Sequence, residues 1–232
     1  MILVTGSGKL AENLQSLSGE DLKIITLSKK IMDITNEYEV SDVIKGYVTQ
    51  PDFPRYLVHT AALTKPMSVN DRNPILSLST NIVGTANVAK ICHKYGIKFI
   101  YISTDFVYGS SEEVDEHSEL KPSNNYGWSK LGGECVTKLI PNSLILRCAL
   151  CDIPFRHKKA FDDVYRNPIT HEDVAKIIMK VKDETGVINV GGKNQNVYDF
   201  VSQYQEVEKA SGKDIAPSLS LNTKKLMGII NE

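Results

Sequence analysis

A doubly wound α/β fold, a parallel sheet with helices on both faces, is predicted by three observations. Short runs such as Ile2-Leu3-Val4 and residues 143–147 are apolar without alternation, as strands buried on both faces are. Amphipathic stretches with helical spacing separate these runs through the first 150 residues. A glycine turn follows the first apolar run and opens the first amphipathic stretch, which is the βα order of a parallel sheet.

Residues 2–4 are the first strand, and the turn at Gly6 and Gly8 leads into a helix over 10–17. Residues 23–27 read as the second strand, 35–47 as a helix and 56–59 as a third, buried strand. A long helix spans 76–95, with Ile82, Ala86 and Ala89 on one face and Gly96 as its stop. Residues 98–102 are the next strand, 129–138 a helix and 143–147 a strand. The acidic run 111–120 reads as a solvated loop. After Cys151 the pattern loosens into the charged stretch "FRHKKAFDDVYRNP". A helix over 170–182 follows, with Thr170 and Asp173 placed as a capping pair, then a strand over 187–190 and a last helix over 198–210. This divides the chain into a nucleotide-binding domain over 1–150 and a small substrate lobe over 151–232, some of whose segments pack back on the first.

A chain of 232 residues, 41% apolar, buries a sizeable core. Its net charge of −1, with Lys and Arg dispersed, gives no footprint for nucleic acid or an anionic membrane. Cys148 and Cys151 have C-x-x-C spacing once, with no second pair to complete a zinc site, and they close an apolar run. They read as buried thiols, and no metal site is expected. The sequence opens directly on its first apolar run and has no long apolar segment, so the expectation is a cytoplasmic protein without signal peptide or membrane span.

"VTGSGKLAENL" places Gly6, Gly8 and Ala11 as G-x-G-x-x-A between a strand and a helix. Gly6 permits the tight turn, Gly8 a close approach to a pyrophosphate, and Ala11 close helix–strand packing, which points to a dinucleotide. No carboxylate ends the second strand to bind the ribose hydroxyl of NAD. Ser28, Lys29 and Lys30 stand there instead and favour NADP(H) over NAD(H), a pair of solvated lysines being the other reading. Asp33 comes too late for the ribose on spacing.

In "YGWSK", Tyr126 and Lys130 lie four apart and share a helical face. An ammonium beside a phenol favours the phenolate, which predicts a lowered pKa for Tyr126 and a proton donor or acceptor near neutral pH. Thr104 and Asp105 end the strand of "FIYISTDFVYGS", at the carboxyl edge where such sheets bind ligands.

Taken together and in this order, the glycine turn, "HTAALT", "STNIVGT", "YISTDFVYG", "YGWSK" and "LILRCAL" resemble the extended short-chain dehydrogenase/reductase superfamily, with its Rossmann-type fold. "STDFVYG" with "NNYGWSKLGGE" is most similar to the dTDP-4-dehydrorhamnose reductase family, whose members reduce the 4-keto group of a nucleotide-linked deoxysugar. The resemblance covers the first two thirds of the chain, with echoes in "NPITHEDVAKII" and "GVINVGG". It implies that Tyr126 is the general acid, that Lys130 lowers its pKa and holds the nicotinamide ribose, and that Thr104, assisted by Asp105, binds the substrate oxygen. It further implies that Gly6, Ser7, Gly8, Lys9, Leu10 and Ala11 wrap the pyrophosphate, that Ser28 and Lys29 flank the adenosine ribose, that Asp33 and Ile34 contact adenine, and that Ala61, Ala62 and Asn81 line the cofactor cleft. A homodimer is one assembly open to such a chain, and the sequence does not fix the oligomeric state.

Two features depart from the family. The glycine turn is one residue short and ends in Ala11, and the stretch between "LILRCAL" and "NPITHEDV" is about twenty residues where relatives have many more. Within that stretch Arg156, His157, Lys158, Lys159 and Arg166 are concentrated, and Arg156 and Arg166 are the expected contacts to the substrate's diphosphate. Phe106 after Asp105 removes the acid pair of a dehydratase, and Phe106 and Val107 exclude the cysteine of an epimerase-reductase. A 4-epimerase and a non-catalytic, nucleotide-binding regulatory subunit remain as alternatives.

Overall fold

The computed structural model describes residues 1–64, 66–109, 111–212, 216 and 218–231. The chain begins β1 (Ile2–Thr5), α1 (Lys9–Gln15), β2 (Ile24–Leu27), α2 (Glu37–Val48) and β3 (Tyr56–His59). Helices α3 (Ser68–Arg72), α4 (Pro74–Leu78) and α5 (Gly84–Tyr95) follow, with a π-helical segment Ser79–Val83 between the last two. Then come β4 (Lys98–Thr104), a 3₁₀ turn Asp105–Val107, β5 (Ser111–Val114), α6 (Asn125–Lys138) and β6 (Leu144–Cys148). The remainder comprises β7 (Lys159–Phe161), β8 (Tyr165–Arg166), α7 (His171–Val181), β9 (Gly186–Val190), β10 (Gln195–Asn196), α8 (Val197–Val201), β11 (Glu208–Ala210), β12 (Leu219–Leu221) and α9 (Lys224–Ile230).

Six strands form one parallel sheet in the order β2-β1-β3-β4-β6-β9. The order reverses between β1 and β3, so the crevice of the sheet opens at their carboxyl ends. Side chains alternate across the sheet with period two. Ile2, Val4, Ile100, Ile102, Leu144 and Leu146 pack in the core with α1, α7 and α9, while Leu3, Leu57, Phe99, Tyr101 and Ile145 pack in the core with α2 and α5. Both faces being covered, each strand needs apolar residues at every position, which is why the runs show no alternation.

The single helix expected over 76–95 is instead interrupted. Asn73 caps α4 by accepting from the Leu76 amide at 3.0 Å, Pro74 occupies its first turn, and the π segment then carries Asn81 inward. Gly96 ends α5 in the left-handed conformation, φ 67°. Helix α6 starts earlier than expected because Asn124 accepts from the Gly127 amide at 2.8 Å. Thr170 caps α7 as expected, accepting from the Asp173 amide at 3.1 Å.

Beyond Cys151, α7, β9 and α9 complete the central sheet and one of its helix layers. The last helix of the sequence reading stops at Val201. The Gln205 side chain bonds both the Phe155 amide and its carbonyl, at 2.6 and 3.1 Å, and 208–210 becomes β11 alongside β7. Nor is 111–120 wholly a solvated loop, since β5 pairs with β12 and Val114 is buried. Helix α9, unforeseen, places Leu226 in the core. Cys148 is buried and Cys151 half-buried. Among the described residues no helix is long and apolar enough to cross a membrane.

The helix α6 is fastened to the sheet by a buried ion pair. Glu134 and Arg147 are 0% and 1% exposed, and Arg147 donates through Nε and Nη2 to the carboxylate at 2.8–3.2 Å. Ser103 donates to Glu134 at 2.6 Å, and Arg147 Nη1 donates to the Tyr108 hydroxyl at 2.7 Å. Gly132 and Gly133 make the approach possible, since a methyl at the first would press on Ile82 and at the second would overlap the Tyr101 hydroxyl. Removing one member leaves the other charge buried without its partner. Glu134→Ala is expected to lower unfolding free energy by about 3–5 kcal/mol in urea titrations, and Glu134→Gln by less.

Candidate active site

The carboxyl end of β1 leads into the glycine turn. Gly6 has φ 97°, and a methyl there would lie 3.1–3.2 Å from Thr60 Oγ1 and the Ala61 backbone; at Gly8 nothing lies within 4 Å. The backbone of the turn is therefore open on the side where a pyrophosphate binds, and the residues present fit a dinucleotide.

A buried relay holds the turn against the end of β3. The Thr85 hydroxyl donates to the Asn81 carbonyl at 2.7 Å, so its oxygen accepts from His59 Nε2 at 3.1 Å. His59 Nδ1 then accepts from Thr5 Oγ1 at 2.7 Å, whose oxygen accepts from the Ala61 amide at 3.3 Å. One tautomer of a neutral imidazole satisfies all four bonds. Burial, with the Lys130 charge adding to it, pushes the His59 pKa down to about 3. Asn81 accepts from the Leu63 amide at 2.7 Å and donates to Ser129 Oγ at 2.8 Å, which fixes the loop containing Ala61 and Ala62 against α6.

At the far end of the crevice, Ser28 closes a turn by accepting from the Ile31 and Met32 amides. Lys29, its side chain 81% exposed, pairs with Asp33 at 3.3 Å. The turn at Ser28 thus returns the Asp33 carboxylate to the Lys29 side chain. Hydrogen bonds from the Thr35 backbone and, less strongly, its side chain hold the Asp33 pKa below its ordinary value. Ile34 is buried, its carbonyl accepting from Asn87 at 2.9 Å. Lys9 donates to the carbonyls of Ile153 and Pro154, at 2.9 and 3.4 Å, so its ammonium reaches the loop after β6.

At the end of β4, Thr104 caps the 3₁₀ turn by accepting from the Phe106 amide at 3.3 Å, and its hydroxyl lies 3.2 Å from Asp105 Oδ1. Tyr126 stands beside Thr104, and its ring meets Phe106 edge-on at 6.1 Å. Contrary to the sequence reading, its pKa is raised, by burial first and the Asp105 charge second, with the neighbouring Thr104 hydroxyl opposing. Lys130 is the group that moves the other way. Buried at 3% exposure, its ammonium 4.2 Å over the Tyr101 ring, it has its pKa lowered to about 7 by burial, against the opposing pull of Glu134. At neutral pH the phenol is protonated and the lysine is poised between its two forms.

Arg166 reaches this cluster, pairing with Asp105 and lying 4.8 Å over Phe106. Arg156 does not: it is 57% exposed and pairs with Asp152 at 3.4 Å. His157, Lys158 and Lys159 line a cavity of about 380 Å³ with Phe155, Ala160, Phe161 and Val197. Sequence reasoning passed over His59, Tyr101 and Ser129. Within apolar or small-residue runs nothing distinguishes them from ordinary core positions.

Residues 1–151 match the family described as RmlD substrate binding domain. The dTDP-4-dehydrorhamnose reductase of Mycolicibacterium smegmatis is 30% identical over 156 residues, 64% of this chain and 45% of that protein. A dTDP-4-dehydrorhamnose reductase of Sinorhizobium fredii is 29% identical over 63% of this chain and 49% of its own length. The chain thus spans about half the length of the curated relatives it matches. The dTDP-4-dehydrorhamnose reductase of Bacillus anthracis in complex with NADP superposes with a TM-score of 0.84 at 25% identity, covering 98% of this chain and 92% of that one. A Thermus thermophilus UDP-glucose 4-epimerase with NAD shares the fold, with a TM-score of 0.80 at 18% identity.

A lysine whose pKa is about 7 folded and 10.5 unfolded binds fewer protons in the folded state between those values. Its contribution to stability therefore rises with pH from about 7 to 10.5 and is unfavourable below that window. Lys130→Met is expected to raise the melting temperature at pH 6 to 7 and to flatten its rise above pH 7, as measured by calorimetry.

Proposed function

The chain belongs to the RmlD substrate binding domain family, within the extended short-chain dehydrogenase/reductases, and from that membership we propose an NAD(P)H-dependent reductase acting on the 4-keto group of a nucleotide-linked deoxysugar. What supports this reading is Thr104 at the end of β4 with Tyr126 beside it, the phenol protonated, and Lys130 buried on the same helix as Tyr126. The nicotinamide, when bound, supplies the hydride to the carbonyl carbon. Tyr126 gives its proton to the carbonyl oxygen, and the Thr104 hydroxyl donates to the same oxygen, so that the product is a neutral alcohol. Lys130, one turn along α6, offsets negative charge growing on the phenol oxygen. Gly6, Ser7, Gly8, Leu10 and Ala11 would hold the pyrophosphate, Ala61, Ala62 and Asn81 the wall of the crevice, and Asp33 and Ile34 the adenosine.

Support for a nucleotide-linked substrate comes from the cavity beside β7. Phe155 and Phe161 offer aromatic faces to a base, and His157, Lys158 and Lys159 offer charge to a diphosphate, with Arg156 on the adjoining loop. An apolar surface of α4 and α6, with Ile75, Leu78 and Trp128 exposed, favours a homodimer. A second reading is a non-catalytic nucleotide-binding subunit; a stretch of 82 residues, 35% of this chain, is 38% identical to a protein named as a subunit, methionine adenosyltransferase 2 subunit beta of Xenopus laevis. Net oxidation of NADPH with 4-keto-sugar nucleotides separates the readings, since neither an epimerase nor a binding subunit consumes cofactor.

Tyr126→Phe is expected to lower kcat by at least about 100-fold with cofactor affinity nearly unchanged, in a spectrophotometric assay paired with fluorescence titration. Retention of most of the rate would remove Tyr126 as the acid. NADP(H) over NAD(H) is the finer proposal, resting on Lys29. Lys29→Ala is expected to weaken NADPH about 2- to 5-fold and leave NADH alone. Calorimetric titration of wild type and variant with both cofactors checks this.

A further inference from the structure

Arg166 lies in β8, forty residues past Tyr126, yet it touches both neighbours of the reacting groups. Its Nη2 forms an ion pair with Asp105 Oδ2, and the two side chains are 13% and 5% exposed. Its guanidinium caps the Phe106 ring at 4.8 Å, and Phe106 in turn meets Tyr126 edge-on. The other oxygen of Asp105 is the one that faces the Thr104 hydroxyl. The strand that delivers Arg166 is held firmly. Arg166 pairs in register with Gln195 of β10, and the next residue, Asn167, accepts from the Leu221 amide at 2.7 Å and donates to the Gly192 carbonyl at 2.9 Å.

We propose that Arg166 is a positioning residue for the reduction, holding and neutralising Asp105 so that the Thr104 hydroxyl proton is released to the substrate's carbonyl oxygen. The role rests on the functional reading above. Thr104 has one hydroxyl proton, and the Phe106 amide already occupies one side of its oxygen. While that proton points at Asp105 it cannot bind a substrate, and a carboxylate without a countercharge would hold it more strongly, since hydrogen bonds to ionised groups are about twice as strong as neutral ones. The same uncompensated charge would oppose the negative charge that develops on Tyr126 as its proton leaves. A guanidinium answers both effects, and its plane also fixes Phe106. Lysine could supply the charge but neither the fork nor the stacking surface.

Four variants test this, Arg166→Ala, Arg166→Lys, Asp105→Asn and the Ala/Asn double, each measured for steady-state kinetics on a 4-keto-sugar nucleotide, NADPH affinity and thermal unfolding. Arg166→Ala should lower kcat about tenfold or more while KM and NADPH affinity stay within about twofold. Arg166→Lys should fall between. The double variant should be faster than Arg166→Ala, because the charge that Arg166 offsets is gone. A raised KM with unchanged kcat would overturn the proposal in favour of a diphosphate contact, and a double variant slower than Arg166→Ala would overturn it outright. A wild-type protein inactive on every such substrate overturns the functional reading and this role with it; non-additive melting temperatures across the four would then still establish the ion pair itself.

Discussion

Everything at the reacting end of this protein depends on where α6 sits, and one buried carboxylate fixes that. Glu134 accepts from Ser103 of β4 and from Arg147 of β6, so a single side chain sets the height of the helix against two adjacent strands. Tyr126, Lys130 and Glu134 recur every four residues and form one stripe on the helix. The residue that anchors the stripe therefore also sets the position of the phenol relative to Thr104, which follows Ser103 in the chain. A pair of charges so deeply buried contributes little net stability over an apolar pair of equal volume. Its value is directional, because the bidentate geometry admits one register.

Lys130 illustrates the cost of such a site. Its ammonium is buried over the face of Tyr101. Burial disfavours charge there, while Glu134 and, less strongly, Cys148 pull the other way. His59 is kept neutral by burial, with the Lys130 charge adding to it, and serves instead as a rigid hydrogen-bonded strut between Thr5 and Thr85.

The sheet, the glycine turn and the shared face of Tyr126 and Lys130 were legible in the sequence because each rests on a local rule: doubly buried strands are apolar throughout, glycine takes φ 97°, and residues four apart are neighbours on a helix. What escaped was decided at long range. The direction of the Tyr126 shift depends first on burial that spacing does not reveal and then on Asp105, twenty-one residues earlier. The end of α8 depends on Gln205 finding the backbone of Phe155. The pairing of Lys29 with Asp33 depends on a turn at Ser28 whose residues carry no glycine or proline to announce it. Two-residue strands such as β8 and β10 have no periodicity to detect, and through β8 the placement of Arg166 was invisible as well.

The π-helical segment at Ser79–Val83 has a consequence for which changes in length this chain can accept. A π turn amounts to one residue inserted into an α-helix, and removing it would rotate everything on one side by about 100° relative to the other. With the insertion, Asn81 reaches Leu63 and Ser129 while Val88, Ala89 and Cys92 still face the sheet. A deletion that restored a regular helix would have to surrender either the loop contacts or the core contacts. The number of residues between Asn81 and Val88 is therefore a quantity the fold holds fixed.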